Sequence, residues 1–292
     1  MKMKRKVNSP SLGDGRQATV RFGKLLKFPE PLLFLFLALF FQNCQTPIEG
    51  CLDVRATNFD VTASKDCNKT CQCTYPSLVI SAKYKMDTSD FYLDSTYTND
   101  MNQKFRMVSA QMYLSDFQLI DNKNTVFRTI DSVALTRATD TIKVLNNYAL
   151  VGKAVGFDFT IGAFNGTGLF STFKFRVGLD AIAAQTVPSK MPTTHPLSIK
   201  ADSMYISSTK QYIFNKFILA YGTNFKDTLR IKIMTPKDLT IVKPLSFTEG
   251  SNAKIPLTIN YLKFFSGVNF SDAQNLIENK IVSNTNTVFT IQ

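Results

Sequence analysis

The chain has 292 residues, 44% of them hydrophobic and 19% charged, with a mean hydropathy of −0.04. That is too apolar for intrinsic disorder and too poor in long apolar runs for a polytopic membrane protein. A single histidine excludes sites that need two imidazoles. Half of the formal net charge of +12 sits in residues 1–43, where eight Lys/Arg face two acids, and the rest is scattered without a run of five like charges; a nucleic-acid partner is not expected.

Lys24 and Lys27 precede an eleven-residue apolar run from Pro31 to Phe41. It is short for a membrane span of about 20 residues but has the length of an export-signal core. The run ends in Gln42-Asn43-Cys44. A cysteine directly behind such a run is the lipidation position of a bacterial lipoprotein. Phe40-Phe41-Gln42-Asn43 departs from the Leu-Ala-Gly pattern and resembles the looser boxes of Bacteroidetes-type lipoproteins. Residues 1–43 are therefore expected to be a lipoprotein signal peptide, with a start set too far upstream as an explanation of its long polar beginning. Acyl chains on Cys44 would anchor the protein in the outer membrane, on its periplasmic or surface face. Residues 45–50 would form only a short tether.

Five cysteines, Cys44, Cys51, Cys67, Cys71 and Cys73, lie within thirty residues, and none follows. Lipidation of Cys44 leaves four, enough for two disulfides in any of three connectivities. The rival is a zinc site of four thiolates, but the spacing lacks paired C-x2-C knuckles and export favours disulfides. Residues 44–76 form the expected Cys-rich module, too small to bury a core without staples. Gly50, Cys51, Asp53, Ala56, Asn58, Phe59, Ala63, Cys73, Tyr75 and Pro76 resemble a short module common at the start of exported Bacteroidetes proteins. Asp53, Asn58, Asp60 and Asp66 suit either a calcium loop or turn capping, and Arg55 and Lys65 favour the latter.

The body, residues 77–292, reads as β-rich. Alternation marks strands at 78–86, 104–108, 112–120, 155–161 and 173–177, with further strands at 126–127, 203–207, 212–221, 228–234, 240–245 and 255–264. Short helices are expected at 179–184 and 271–281. Strand spacing with Asn/Gly/Asp turns gives an all-β class, a β-sandwich or barrel.

Ser109–Leu119, Phe175–Leu179, the block from His195-Pro196-Leu197 through Met204-Tyr205 to Gln211–Phe217, and Ile259–Phe265 follow, in order and spacing, the motifs of the MbnP-like domain. The body resembles that family over residues 77–290. The resemblance implies a β-sandwich and periplasmic copper binding beside a di-haem partner, with a modified Trp and a His at the metal. Ile206 stands where the family has that Trp, there is no Trp in the chain, and Asn260 replaces the family's acid. A copper(I) site made of the His195 imidazole with the Met191 and Met204 thioethers is one reading of what remains. A loop histidine and core methionines are the other.

No G-x-S-x-G elbow occurs, and the Gly-rich stretch 161–168 lacks the Lys-Ser/Thr of a phosphate loop. The expected function is a lipid-anchored, noncatalytic envelope binding protein with a periplasmic or surface protein partner. The alternatives are copper handling through an altered site, and a glycan-binding or hydrolytic surface lipoprotein. A concave cleft with two close carboxylates would favour the last.

Overall fold

Ser77–Met86 (β1) turns Leu78, Ile80, Ala82, Tyr84 and Met86 to one side, and all five are buried. This period of two is what a strand on a core requires. A computed structural model describes residues 46–66, 71–152, 156–199 and 204–292. Its long strands after β1 are Lys104–Asp121 (β2), Ser132–Thr136 (β3), Thr141–Leu145 (β4), Tyr148–Gly152 (β5), Asp158–Ala163 (β6), Gly168–Val177 (β7), Asn215–Tyr221 (β8), Asp227–Ile233 (β9), Lys237–Phe247 (β10) and Ala253–Asn260 (β11). The helix Gln274–Asn284 (α1) and the strand Phe289–Ile291 (β12) follow. Among the described residues no helix is long and apolar enough to cross a membrane.

Two sheets face each other. The smaller has the order β6-β1-β11-β12, with β1 and β11 parallel and the other pairs antiparallel. The larger has the order β9-β8-β2-β7-β10 and is antiparallel. Strand β2 is its spine. One of its edges carries β8 along the first half and β7 along the second; the other carries β5 in the middle. Strands β3 and β4 form a separate hairpin.

Two register shifts in β2 decide which residues face the core. One lies where Ile218/Leu219 pairs with Ser109/Met107, the other where Lys174/Arg176 pairs with Gln118/Ser115. Each inserts one extra residue and flips the inward phase. The core-facing set is therefore Phe105 and Met107, then Ala110, Met112 and Leu114, then Phe117 and Leu119. Phenylalanine dominates the space between the sheets. Phe173 stacks near Phe117 and Phe175 at centroid distances of 6.2 and 5.1 Å. Without tryptophan, these rings supply the large buried volumes, each worth roughly 1.5–3 kcal/mol on burial.

The expected all-β sandwich is present. The expected strand at 255–264 stops at Asn260, and Tyr261–Phe265 is a 3-10 turn that buries Tyr261, Phe264 and Phe265. The expected helix at 179–184 is reduced to a turn at Ala183–Gln185. The expected C-terminal helix is α1, burying Ile277 and Ile281.

The N-terminal segment packs with the body: Ile48–Gln292 form one compact unit. Cys51 and Cys73 are joined by a disulfide, and Cys71 is also disulfide-bonded. Cys44 and Cys67, together with the signal segment, lie outside the described residues. The Asx side chains serve turns. Asn58 donates to Gln72 O at 3.0 Å and accepts Thr74 N–H at 2.8 Å, while Asp60 accepts the Thr62 N–H and hydroxyl at 2.9 and 2.7 Å.

Candidate functional site

The outer face of the larger sheet is covered where β2 changes partners. Tyr113 donates its N–H to Phe214 O at 2.9 Å and accepts Gly178 N–H at 2.8 Å. The Ser115 hydroxyl donates to Gly178 O at 2.8 Å. Gly178 has φ +116, and a Cβ there would stand 2.9 Å from Phe214 Cδ2 and 3.1 Å from Pro236 Cα. Only glycine satisfies both conditions. Beyond Gly178 the chain leaves the sheet and lays a second apolar layer over Tyr113, Tyr148 and Leu150. The Tyr113 and Tyr212 phenols fasten this cover by donating to Pro196 O at 3.3 Å and Leu197 O at 2.7 Å. Burial pushes both phenols well above the usual tyrosine range.

The residues singled out by sequence sit in this layer. Met191 and Met204, 6% and 2% exposed, pack into the apolar cover. His195 is 8% exposed, its Nδ1 accepts Leu197 N–H at 3.2 Å, and its ring meets Tyr148 edge-on at 6.1 Å. Ile206 is half-buried against the same layer. Asn260 lies elsewhere: it accepts Asp87 N–H at 3.0 Å and donates to Asp87 O at 3.3 Å.

Next to the cover lies a cleft of about 310 Å³, lined by Asp116, Arg128, Val144, Leu145, Asn147, Tyr148, Arg176, Asp180 and Ile182. Its geometry begins at the second register shift of β2, where Asp116 takes φ +52. A non-glycine residue in that region is strained unless its neighbours hold it. Asn147 does so by accepting Phe117 N–H at 3.1 Å and donating to Phe117 O at 3.3 Å. Gln118 donates its amide to Asp116 Oδ2 at 2.9 Å, and Arg128 stands 3.7 Å from the other oxygen. Asp180 accepts the Tyr148 phenol at 3.0 Å and the Ile182 and Ala183 N–H groups at 2.8 and 2.9 Å. Burial first, then the Asp180 charge, pushes the Tyr148 phenol up. Arg176 makes a two-pronged pair with Asp238 at 2.7 and 3.1 Å. That pair raises its guanidinium above the usual value, against burial, and Asp116 and Asp180 add to the effect.

The cleft lining thus carries two carboxylates and two guanidiniums, with Arg176 already paired to Asp238, over an apolar floor of Val144, Leu145 and Ile182. Fixed donors and acceptors beside an apolar floor suit a ligand that carries both hydrogen-bonding kinds and little net charge. Sequence reading did not single these residues out for function, since they come from five separate stretches. One local signal existed: Ser115-Asp116 puts two polar residues in succession inside an alternating strand.

The MbnP family model matches residues 75–283. The chain belongs to the MbnP family. Among solved structures, MbnP from Methylosinus trichosporium is similar at 12% identity and a TM-score of 0.45, covering 68% of this chain and 78% of that one. Nothing matches among curated proteins. Copper is the group that resemblance to MbnP-like domains implies, and the residues of this MbnP-family chain do not fit the ligand set it implies. There is no tryptophan to modify, and the single imidazole spends Nδ1 on a backbone N–H. The amide at the acid position is used on Asp87. Among the described residues no three His, Cys, Asp or Glu side chains converge as a metal would require.

Proposed function

We propose that this MbnP-family chain is a lipid-anchored, noncatalytic binding protein of the bacterial cell envelope. Its ligand is a small neutral polar molecule, with a sugar unit as the fitting chemistry, held in the Asp116–Asp180 cleft. The observation that carries this reading is the cleft's juxtaposition of carboxylates and guanidiniums above an apolar floor. Planar polar groups of both kinds satisfy vicinal hydroxyls, and the aliphatic floor suits the C–H face of a sugar ring. The lining also holds two carboxylates and the Tyr148 phenol, groups that glycoside hydrolysis can use, so the test below reads turnover as well as binding.

The test is calorimetric titration of the intact chain with neutral mono- and oligosaccharides, with Asp116→Asn and Arg128→Gln as variants. Saturable binding weakened about tenfold in each variant is expected, from the loss of one charge-assisted hydrogen bond. No binding across the panel sinks the sugar reading, and release of new reducing ends sinks the noncatalytic one. Elemental analysis of the same samples after Cu(I) and Cu(II) incubation separates copper handling. One equivalent of copper that disappears in His195→Ala would restore the metal role. Cys44→Ala is expected to move the protein from the membrane to the soluble fraction.

A further inference from the structure

The outer face of the larger sheet continues beyond the cleft along β2, β7 and β10. Phe117, Leu119, Phe173, Phe175 and Leu239 point into the core, so the residues alternating with them face out. Register sets those residues in rows across the strands. Arg176, in the cleft wall, stands opposite Asp238. Two residues back along β7, Lys174 is flanked by Gln118 and Thr240. Two further back, Thr172 is flanked by Ile120 and Val242, and Val126 extends that row beside Ile120. Rows on one face of a strand lie about 7 Å apart, so the second row is about 13 Å from Arg176.

The two rows differ in chemistry. The nearer one is polar and tied to the cleft, since the Gln118 amide donates to Asp116 Oδ2 at 2.9 Å. Lys174 is exposed there, and among the described residues it takes part in no ion pair. The farther row is aliphatic but for Thr172, and open: Val242 is 79% exposed and Val126 43%. Aliphatic side chains in register across neighbouring strands make a contiguous surface, unlike apolar residues scattered singly.

We infer that the cleft is one end of an extended path, and that the ligand is an oligosaccharide chain of several units. This inference rests on the sugar reading of the cleft and goes beyond it in the length of the ligand. The terminal unit sits beside Asp116 and Arg176. The units behind it follow β7, with hydroxyls on Gln118, Lys174 and Thr240 and a C–H face on Ile120 and Val242. Two observations argue for this occupant. The rows are continuous with the cleft through Arg176 and Gln118. They also present hydrogen-bonding groups and then hydrocarbon, the two surfaces that every unit of a sugar chain carries.

The experiment is calorimetric titration of the full chain with neutral glucans, mannans and galactans, each as a ladder from the monosaccharide to the hexasaccharide. In the series that binds, affinity is expected to rise at least about tenfold up the ladder, because longer chains bury the two rows. The double variant Lys174→Ala, Val242→Asp changes two exposed side chains outside the cleft lining. It should melt as the wild type does, bind the monosaccharide equally, and lose the rise. Asp116→Asn should instead weaken every length. Equal affinity at all lengths overturns the extended path and leaves the cleft reading intact. A rise that survives in the double variant also overturns it. No binding at any length overturns both readings together. Sedimentation of the same samples tests a second copy of this chain as occupant: self-association that the double variant abolishes would give the rows to that interface and overturn the proposal.

Discussion

Asp53 concentrates four hydrogen bonds on one carboxylate. Arg55 donates Nε and Nη2 at 2.9 and 2.7 Å and its backbone N–H at 3.0 Å, and the Tyr75 phenol donates at 2.8 Å. The Arg55 guanidinium holds this carboxyl well below the usual carboxylate range, against burial and with help from Tyr75. A carboxyl with a depressed folded-state pKa stabilises above its unfolded value near 4 and loses that contribution as pH falls. Asp53→Asn is therefore expected to cost about 1 kcal/mol at pH 7, the worth of a partly exposed charge-assisted pair. The gap to wild type should narrow as pH falls from about 4 toward 2. Urea unfolding at both ends of that range measures it, and equal midpoints at pH 7 would mean that the network adds nothing. The motif was legible in part. Asp53 and Tyr75 both stand at module positions in the sequence, but their meeting across 22 residues is not legible there, because it depends on the Cys51–Cys73 closure.

Elements bring their own test, since two small substitutions on either side of the β2 seam should act with opposite sign. Gly178→Ala places a Cβ 2.9 Å from Phe214 at φ +116 and is expected to destabilise by about 2 kcal/mol or more. Asp116→Gly removes a Cβ from φ +52 and is expected to be neutral or to stabilise by up to about 1 kcal/mol, while weakening sugar binding. Chemical denaturation of both variants checks the pair; destabilisation by Asp116→Gly would show that its contacts outweigh the strain. This strand also shows where sequence reading stops. Alternation identified strand segments on both sides of Ser109, but two inserted residues reverse the inward phase, so no single period describes 104–121. The strand expected over 255–264 takes in Tyr261 and Phe264, which the structure instead places with Phe265 in the 3-10 turn. Their spacing of three and four is a helical one, and it is what buries all three. Leu179–Ala184 has good helix formers, yet Asp180 caps a single turn and Pro188 then redirects the chain over the sheet. The cleft was invisible in the sequence because Arg128, Asn147, Arg176 and Asp180 become neighbours only through pairing with β2.

At the scale of the whole molecule, the core is built of phenylalanine and tyrosine, and the absence of tryptophan makes the phenols its reporters. Burial pushes the phenols of Tyr84, Tyr113, Tyr148, Tyr212 and Tyr261 upward, so five of the ten tyrosines resist ionisation while the fold persists. A group whose folded-state pKa is raised contributes stability that is complete below its unfolded value, here about 10, and is lost as pH climbs beyond it. Alkaline titration followed by phenolate absorbance is expected to show these five appearing together, coincident with loss of the β-sheet circular dichroism. Their gradual appearance while the sheet signal is intact would contradict the buried arrangement. The parallel pairing of β1 with β11 has a consequence in time. Leu78 meets Ala253, and the smaller sheet has no centre until both strands exist. The parallel partner of β1 is the second-to-last strand of the chain, so β1 emerges long before it whether the chain leaves the ribosome or an export pore. Until then Ser77–Met86 has β6 on one edge and an open, apolar edge on the other, so a chain truncated before β11 is expected to associate through that edge.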